Sequence, residues 1–279
     1  MKKRLTRFLP FLLAFTIALP SYSVFAEEEN QAKETQTNET NETQADETTA
    51  NDTLSLAAET AVLIDAASGE ILYDKDADKK MYPASITKLM TILLALENGK
   101  LTDEITFSHD AVYNIEPGSA HIAILEGETL TLEQVLRAII LRSANEASNG
   151  VAEYVDGSVE AFAKHMTERA KELGCTNTNF VNANGLFDEN HYTTAHDMAL
   201  IARELLKHEE YRSMMSETDY EIPPTNLQTE TRYLHGQHQM LNPNSIYYYK
   251  DAVPYYLLIC KNTNDRKELE DELLLLNEQ

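Results

Sequence analysis

Between Pro83 and Gly99 the chain carries the pattern that most limits what it can fold into. Apolar residues recur at Ile86, Leu89, Met90, Leu93, Leu94 and Leu96, offsets of 3, 4, 7, 8 and 10 that fit one face of an α-helix. Gly99 ends the period as a C-terminal cap would. Ser85 therefore stands at the start of a buried helix. Burying that face needs further apolar elements, and 43% apolar content over 279 residues is enough for a sizeable core.

Other segments supply those elements. Thr131 to Leu141 repeats the helical period, with Thr131 and Gln134 spaced as a capping box. Ala152 to Tyr154 and Val159 to Leu173 read as two helices broken at Gly157, and Thr194 to Leu206 as another, with Thr194 and Asp197 as its capping box. Ala61 to Asp65, a turn at Ser68-Gly69, and Glu70 to Tyr73 read as a hairpin. Strand signals are otherwise sparse before residue 245, so any remaining strands are expected after residue 240. The fold class is α/β of the α+β kind, a helical cluster packed on a small, incomplete antiparallel sheet.

The two ends of the chain differ from this middle. Lys2, Lys3, Arg4 and Arg7 precede an apolar run from Phe8 to Leu19, and Val24-Phe25-Ala26 supplies small residues for cleavage, so 1–26 reads as a secretory signal peptide. A run of about 12 residues is short of the roughly 20 that span a bilayer. From Glu27 to Thr53 nine acidic side chains face the single Lys33, with no apolar residue larger than Ala, so 27–54 is expected to be a disordered acidic tether or solubilising leader. Over the whole chain 46 acidic residues against 23 basic ones give a net charge of -23, which excludes nucleic acid and anionic lipid surfaces as partners. Two cysteines, Cys175 and Cys260, are too few for a disulfide scaffold and lack zinc-site spacing. Cys175 reads as a small buried residue. His191, His196, His235 and His238 fit no ligand motif, so no metal and no cofactor is expected.

Chemistry concentrates at the head of the first helix. Ser85-Ile86-Thr87-Lys88 places a hydroxyl and an amine three residues apart, on one helical face. A serine becomes a nucleophile when a base stands beside it, and a lysine serves when burial holds it neutral. Free N–H groups at a helix N-terminus add stabilisation for an alkoxide or an oxyanion. Such a motif is common by chance, and its bland counterpart is a capping serine with a surface lysine. Ser143-Ala144-Asn145, about 55 residues beyond Lys88 and just after a helix, changes the weight. There a second hydroxyl can relay a proton and the Asn145 amide can hold a peptide group.

These residues, with Tyr82-Pro83-Ala84 before them, Arg142 before Ser143, Asn184-Gly185-Leu186 to His191-Tyr192-Thr193-Thr194-Ala195, and Leu241-Asn242-Pro243-Asn244-Ser245, resemble the serine-type D-alanyl-D-alanine carboxypeptidases. Those are the low-molecular-mass penicillin-binding proteins that trim peptidoglycan stem peptides. The resemblance runs from about Ala57 to Val253 and implies a serine β-lactamase/transpeptidase-like fold over a catalytic domain at 55–253. It also implies acylation: Ser85 attacks the penultimate D-alanine carbonyl, Lys88 is the base, Ser143 passes the proton, Asn145 positions substrate, and water then hydrolyses the acyl-enzyme. The implied partners are peptidoglycan stem peptides and β-lactams as covalent inhibitors, at the extracellular face of a bacterial envelope or secreted.

One expected element is missing. The family's Lys-Thr-Gly strand should follow Tyr247 to Val253, but the last glycine of the chain is Gly236. Pro254 to Gln279 instead forms a divergent tail whose acidic excess makes a poor membrane anchor. Lys261 and Thr263 do not reproduce the motif, because Asn262 breaks the order. The expectation is a truncated or frame-shifted product with impaired activity. Two other readings stand beside it: a binding module that takes up muropeptide or β-lactam without turnover, and a structural envelope protein.

Overall fold

The structure is a computed structural model that describes residue 56 and residues 58–245. The expected signal segment, the tether, Tyr247 to Val253, the tail after residue 253 and Cys260 lie outside the described residues. In chain order the elements are β1 (Ala61–Ile64), β2 (Ile71–Lys75), α1 (Lys88–Asn98), β3 (Glu104–Thr106), α2 (His109–Tyr113), β4 (Thr129–Thr131), α3 (Leu132–Arg142), α4 (Asn145–Asp156), α5 (Val159–Glu172), α6 (Ala195–Leu205), α7 (Glu209–Met215), β5 (Asp219–Ile222) and β6 (Arg232–His235).

Helix α1 is the centre. Every residue from Lys88 to Ala95 is buried, and α3, α4, α5 and α6 all pack against it. A helix apolar on most sides is stable only when surrounded in this way. Leu93, Leu94, Leu136, Phe162, Met166, Met198 and Leu205 form the surrounding core, each fully buried.

Around the helices lie three separate two-stranded antiparallel sheets, β1-β2, β3-β4 and β5-β6. The N-terminal hairpin forms as its sequence indicates, with Ala61 opposite Lys75 and Leu63 opposite Tyr73. Its turn is closed by the Asp65 carboxylate, which accepts from the Ser68 N–H at 2.6 Å. The expectation that the remaining strands would follow residue 240 is corrected: β3, β4, β5 and β6 all precede it. Stretches of three or four residues such as Glu104–Thr106 and Thr129–Thr131 are too short for alternation to show.

Helix boundaries hold with informative exceptions. The capping box at Thr131 and Gln134 forms in both directions. At Thr194 only half forms: its Oγ1 accepts from the Asp197 N–H, but the Asp197 side chain instead accepts from the Thr176 and Asn177 N–H groups and the Thr178 hydroxyl. Helix α4 begins at Asn145, seven residues before the sequence signal, and ends at left-handed Gly157. Gly99 closes α1 in extended backbone, φ -132°, rather than left-handed. Glycine is needed there for space, because a Cβ would lie 2.8 Å from Leu132 Cδ2 and from the Tyr154 hydroxyl. No helix among the described residues is long and apolar enough to cross a membrane.

Gly150 gives a test of this packing. It sits inside α4, where alanine ordinarily favours a helix by about 1 kcal/mol. A Cβ there would stand 2.3 Å from Cε1 of the buried Phe107 ring. Overpacking costs about 1–3 kcal/mol, so Gly150→Ala is expected to lower stability, read as a reduced midpoint of denaturant unfolding. A raised midpoint would show that Phe107 yields freely.

Candidate active site

Proline at 83 leads into a 3-10 turn, Ala84–Thr87, and α1 starts only at Lys88. Ser85 thus lies on the 3-10 turn and not within the α-helix proper, a correction of one turn that keeps the three-residue spacing to Lys88. The turn is held under strain: Ala84 has φ +48°, a left-handed conformation costing a non-glycine residue about 1–3 kcal/mol.

Two neighbours hold it. Gly185, φ +85°, lies so close that a Cβ there would come within 1.8 Å of the Ala84 carbonyl oxygen. His191, 2% exposed, accepts the Val181 N–H at Nδ1 (3.1 Å), which leaves Nε2 to donate to Thr87 Oγ1 at 2.7 Å. Burial pulls this imidazole down to about 4, so it stays neutral near pH 7 and keeps that tautomer.

Lys88 is 4% exposed, and its Nζ is surrounded by three oxygens. It donates to Ser85 Oγ (3.0 Å), Asn145 Oδ1 (2.7 Å) and the Asn184 carbonyl (2.6 Å). Burial pulls its pKa down to about 7, opposed by the charge of Glu146. An ammonium fills all three bonds. The neutral amine keeps two N–H groups for Asn145 and Asn184 and turns its lone pair to the serine hydroxyl.

Ser85, Lys88 and Asn145 are therefore brought together, as the sequence indicates. Ser143 is placed differently. It caps α3 in a left-handed conformation, φ +55°, and its buried Oγ has no hydrogen-bond partner among the described residues, Lys88 included. Asn145 is the α4 residue that stands beside Lys88. Of segment 182–186 only Asn184-Gly185-Leu186 was seen in the sequence, as part of the resemblance, yet the whole segment carries much of the site. Thr91 of α1 donates to the Ala183 carbonyl (2.6 Å), Asn182 Oδ1 accepts from the Gly185 N–H (2.7 Å), and Asn184 Nδ2 donates to Asn149 of α4 (3.1 Å). An Asn-Gly pair is a turn signal, but nothing in it announces a lysine ligand. Cys175 is buried, with its thiol donating to the Asp197 carbonyl (3.3 Å) and pushed up to about 12 by burial. Among the described residues no cluster of three or more His, Cys, Asp or Glu side chains is placed to hold a metal ion.

A helical cluster presenting serine and lysine in this way is the architecture of penicillin-binding serine peptidases. Penicillin binding protein 5 from Haemophilus influenzae superposes with a TM-score of 0.60 at 31% identity over 67% of this chain and 54% of its own. A mutant of the Streptomyces K15 DD-transpeptidase shares the fold, with a TM-score of 0.64 at 24% identity over 68% of this chain and 78% of that one. Residues 44–252 match the D-alanyl-D-alanine carboxypeptidase family of peptidases, and the chain belongs to that family. DacF of Bacillus subtilis is 43% identical over 161 residues, 56% of this chain and 41% of DacF. DacC of Escherichia coli is 37% identical over 54% of this chain and 40% of DacC. The chain thus spans about two fifths of the length of these curated relatives.

Because Gly185 meets backbone rather than a yielding side chain, Gly185→Ala is expected to displace the Ala84–Thr87 turn. The expected outcome is at least a tenfold loss in the rate at which a fluorescent penicillin labels the protein, with helical content by circular dichroism unchanged. Labelling at the wild-type rate would show that the turn does not depend on this approach.

Proposed function

We propose that this chain is an exported serine-type D-alanyl-D-alanine carboxypeptidase that acts on peptidoglycan stem peptides at the bacterial cell wall, through an acyl-serine. The observation that carries this reading is the 3.0 Å contact between Ser85 Oγ and a buried Lys88 amine whose other two partners are both acceptors. Neutral Lys88 takes the Ser85 proton as the oxygen attacks the penultimate D-alanine carbonyl, and the C–N bond to the terminal D-alanine breaks. The departing amine must gain a proton. Ser143, whose hydroxyl has no hydrogen-bond partner among the described residues and is free to turn to the substrate, is assigned to pass it on. Asn145 gives its carbonyl to Lys88, so the task of holding the substrate peptide group falls to its Nδ2 amide. Water then hydrolyses the ester.

A β-lactam opens on the same serine and is the covalent inhibitor of this reading.

Labelling with a fluorescent penicillin and release of D-alanine from an acyl-D-Ala-D-Ala peptide test the assignment. Wild type should label and release D-alanine, while Ser85→Ala should do neither. Labelling at Ser85 without any D-alanine release favours the binding-module reading, and no labelling removes both. The pH dependence is a further check. Since the base is the neutral amine and Lys88 titrates at about 7, the acylation rate should rise with pH through that value and level off above it. A rate flat between pH 5 and 9 would exclude Lys88 as base.

A further inference from the structure

Residues 191–193 run between the two parts of the chain that supply the reacting groups. Thr193 pairs antiparallel with Met81 through N–H to carbonyl bonds of 2.8 and 2.9 Å, just ahead of the turn that carries Ser85. Tyr192 pairs in the same way with Asn179, at 2.8 and 3.0 Å, just ahead of the loop that carries Asn184. The main chain thus fixes where turn and loop begin. It leaves open how they lie against each other where they meet Lys88.

The His191 side chain makes the same two connections again, nearer the chemistry. Its Nδ1 accepts from the Val181 N–H (3.1 Å) at the root of the loop, and its Nε2 donates to Thr87 Oγ1 (2.7 Å), between Ser85 and Lys88. Thr87 is fully buried, and the imidazole packs edge-on against Phe180 with ring centroids 5.5 Å apart. A neutral imidazole has one donor and one acceptor, so both are in use, and a change at either end leaves a buried group unpaired. Thr91 also holds the loop, through the Ala183 carbonyl, but from a position beyond Lys88. His191 bonds turn and loop together.

We propose that His191 is a positioning residue of the acylation step, holding the Ser85–Lys88 turn and the Asn184 loop in line through Thr87 and Val181. It touches no reacting atom, and its part in that step rests on the carboxypeptidase reading above. Two contacts of one nitrogen depend on this alignment, Lys88 Nζ to Ser85 Oγ at 3.0 Å and to the Asn184 carbonyl at 2.6 Å. When turn and loop part, water reaches the amine and raises it toward its ordinary value, while the serine oxygen leaves its line of attack.

The test joins NMR titration of Lys88 in the full chain, carrying 13C at lysine Cε, with the rate of penicillin labelling near pH 9. Thr87→Val and His191→Asn both remove the bond between the two side chains, and His191→Asn leaves an oxygen near Nδ1 to accept from Val181. Each is expected to make Lys88 titrate about one pH unit higher than in wild type. Each should also slow labelling at saturating penicillin about tenfold, with the half-saturating concentration unchanged. Since both remove one and the same bond, the double variant should lose no more than either alone. Thr87→Ser keeps the accepting hydroxyl and should restore both readouts. The charge of Glu146, which opposes the lowering at Lys88, stays in place throughout. If His191→Asn fails to fold, Thr87→Val reads the bond from its other end. An unshifted Lys88 titration, or losses that multiply in the double variant, overturns the assignment. Wild-type labelling reports on the carboxypeptidase reading separately: a Lys88 shift in the variants without any labelling of wild type removes that reading and keeps the alignment, whereas labelling without a shift does the reverse.

Discussion

A lysine amine taken out of water beside a serine hydroxyl is the interaction on which the rest of this structure depends. Burying a charge of this kind is unfavourable unless its hydrogen bonds are met, and three separate elements meet them, two of them distant in sequence. Ser85 comes from the 3-10 turn before α1, Asn145 from the first residue of α4, and the Asn184 carbonyl from the loop after α5. The same burial that makes the ammonium costly brings its pKa to about 7, where an amine can take a proton. Stability and reactivity are thus set against each other at one atom. Since Lys88 is lowered from its ordinary value of 10.5, its unfavourable contribution is full below about 7 and fades as pH rises from there toward 10.5.

Holding three acceptors around one nitrogen requires rigid supports, and the arrangement of helices provides them. Helix α1 is buried along its first eight residues, so Lys88 cannot turn away from the site without breaking the core. Thr91, one turn further on, fixes the loop that supplies Asn184, and Asn149 on α4 fixes the Asn184 side chain. His191 reaches the turn between Ser85 and Lys88 from the other side, through Thr87. These supports are neutral hydrogen bonds in a dry setting, where each missing partner would leave a buried polar group unsatisfied.

The helical half of this design was legible in the sequence because period and capping are local properties. Ile86 to Leu96 marked α1, and Thr131 with Gln134 marked the start of α3, since each signal is complete within a few residues. The serine and lysine were legible for the same reason, their contact being fixed by a three-residue spacing. Asn145 was found as part of a motif, but its attachment to Lys88 depends on how α4 packs on α1, which no local pattern records. The carbonyl of Asn184 was invisible, because a backbone oxygen has no side-chain identity to notice. The left-handed φ of Ser143 between α3 and α4 was not legible either, since serine gives no sign of it. Strands β3 to β6 escaped notice because three or four residues hold too little pattern, and their pairing partners lie 10 or more residues away.

Close backbone approach explains the strained backbone beside the site. Ala84 adopts a conformation that alanine resists, and Gly185 adopts one that only glycine accepts readily, at the place where the two chains touch. Each conformation makes room for the other: the left-handed turn at Ala84 aims its carbonyl at Gly185, and the absent Cβ at 185 lets that carbonyl stay. The consequence falls on Ser85, the next residue, whose hydroxyl is thereby aimed at Lys88 rather than at solvent. Lys88 then closes the circle by binding the carbonyl of Asn184, the residue before Gly185. The nucleophile, its base and the loop beneath them are one mechanical unit, so a change at Gly185 reaches the serine without touching it.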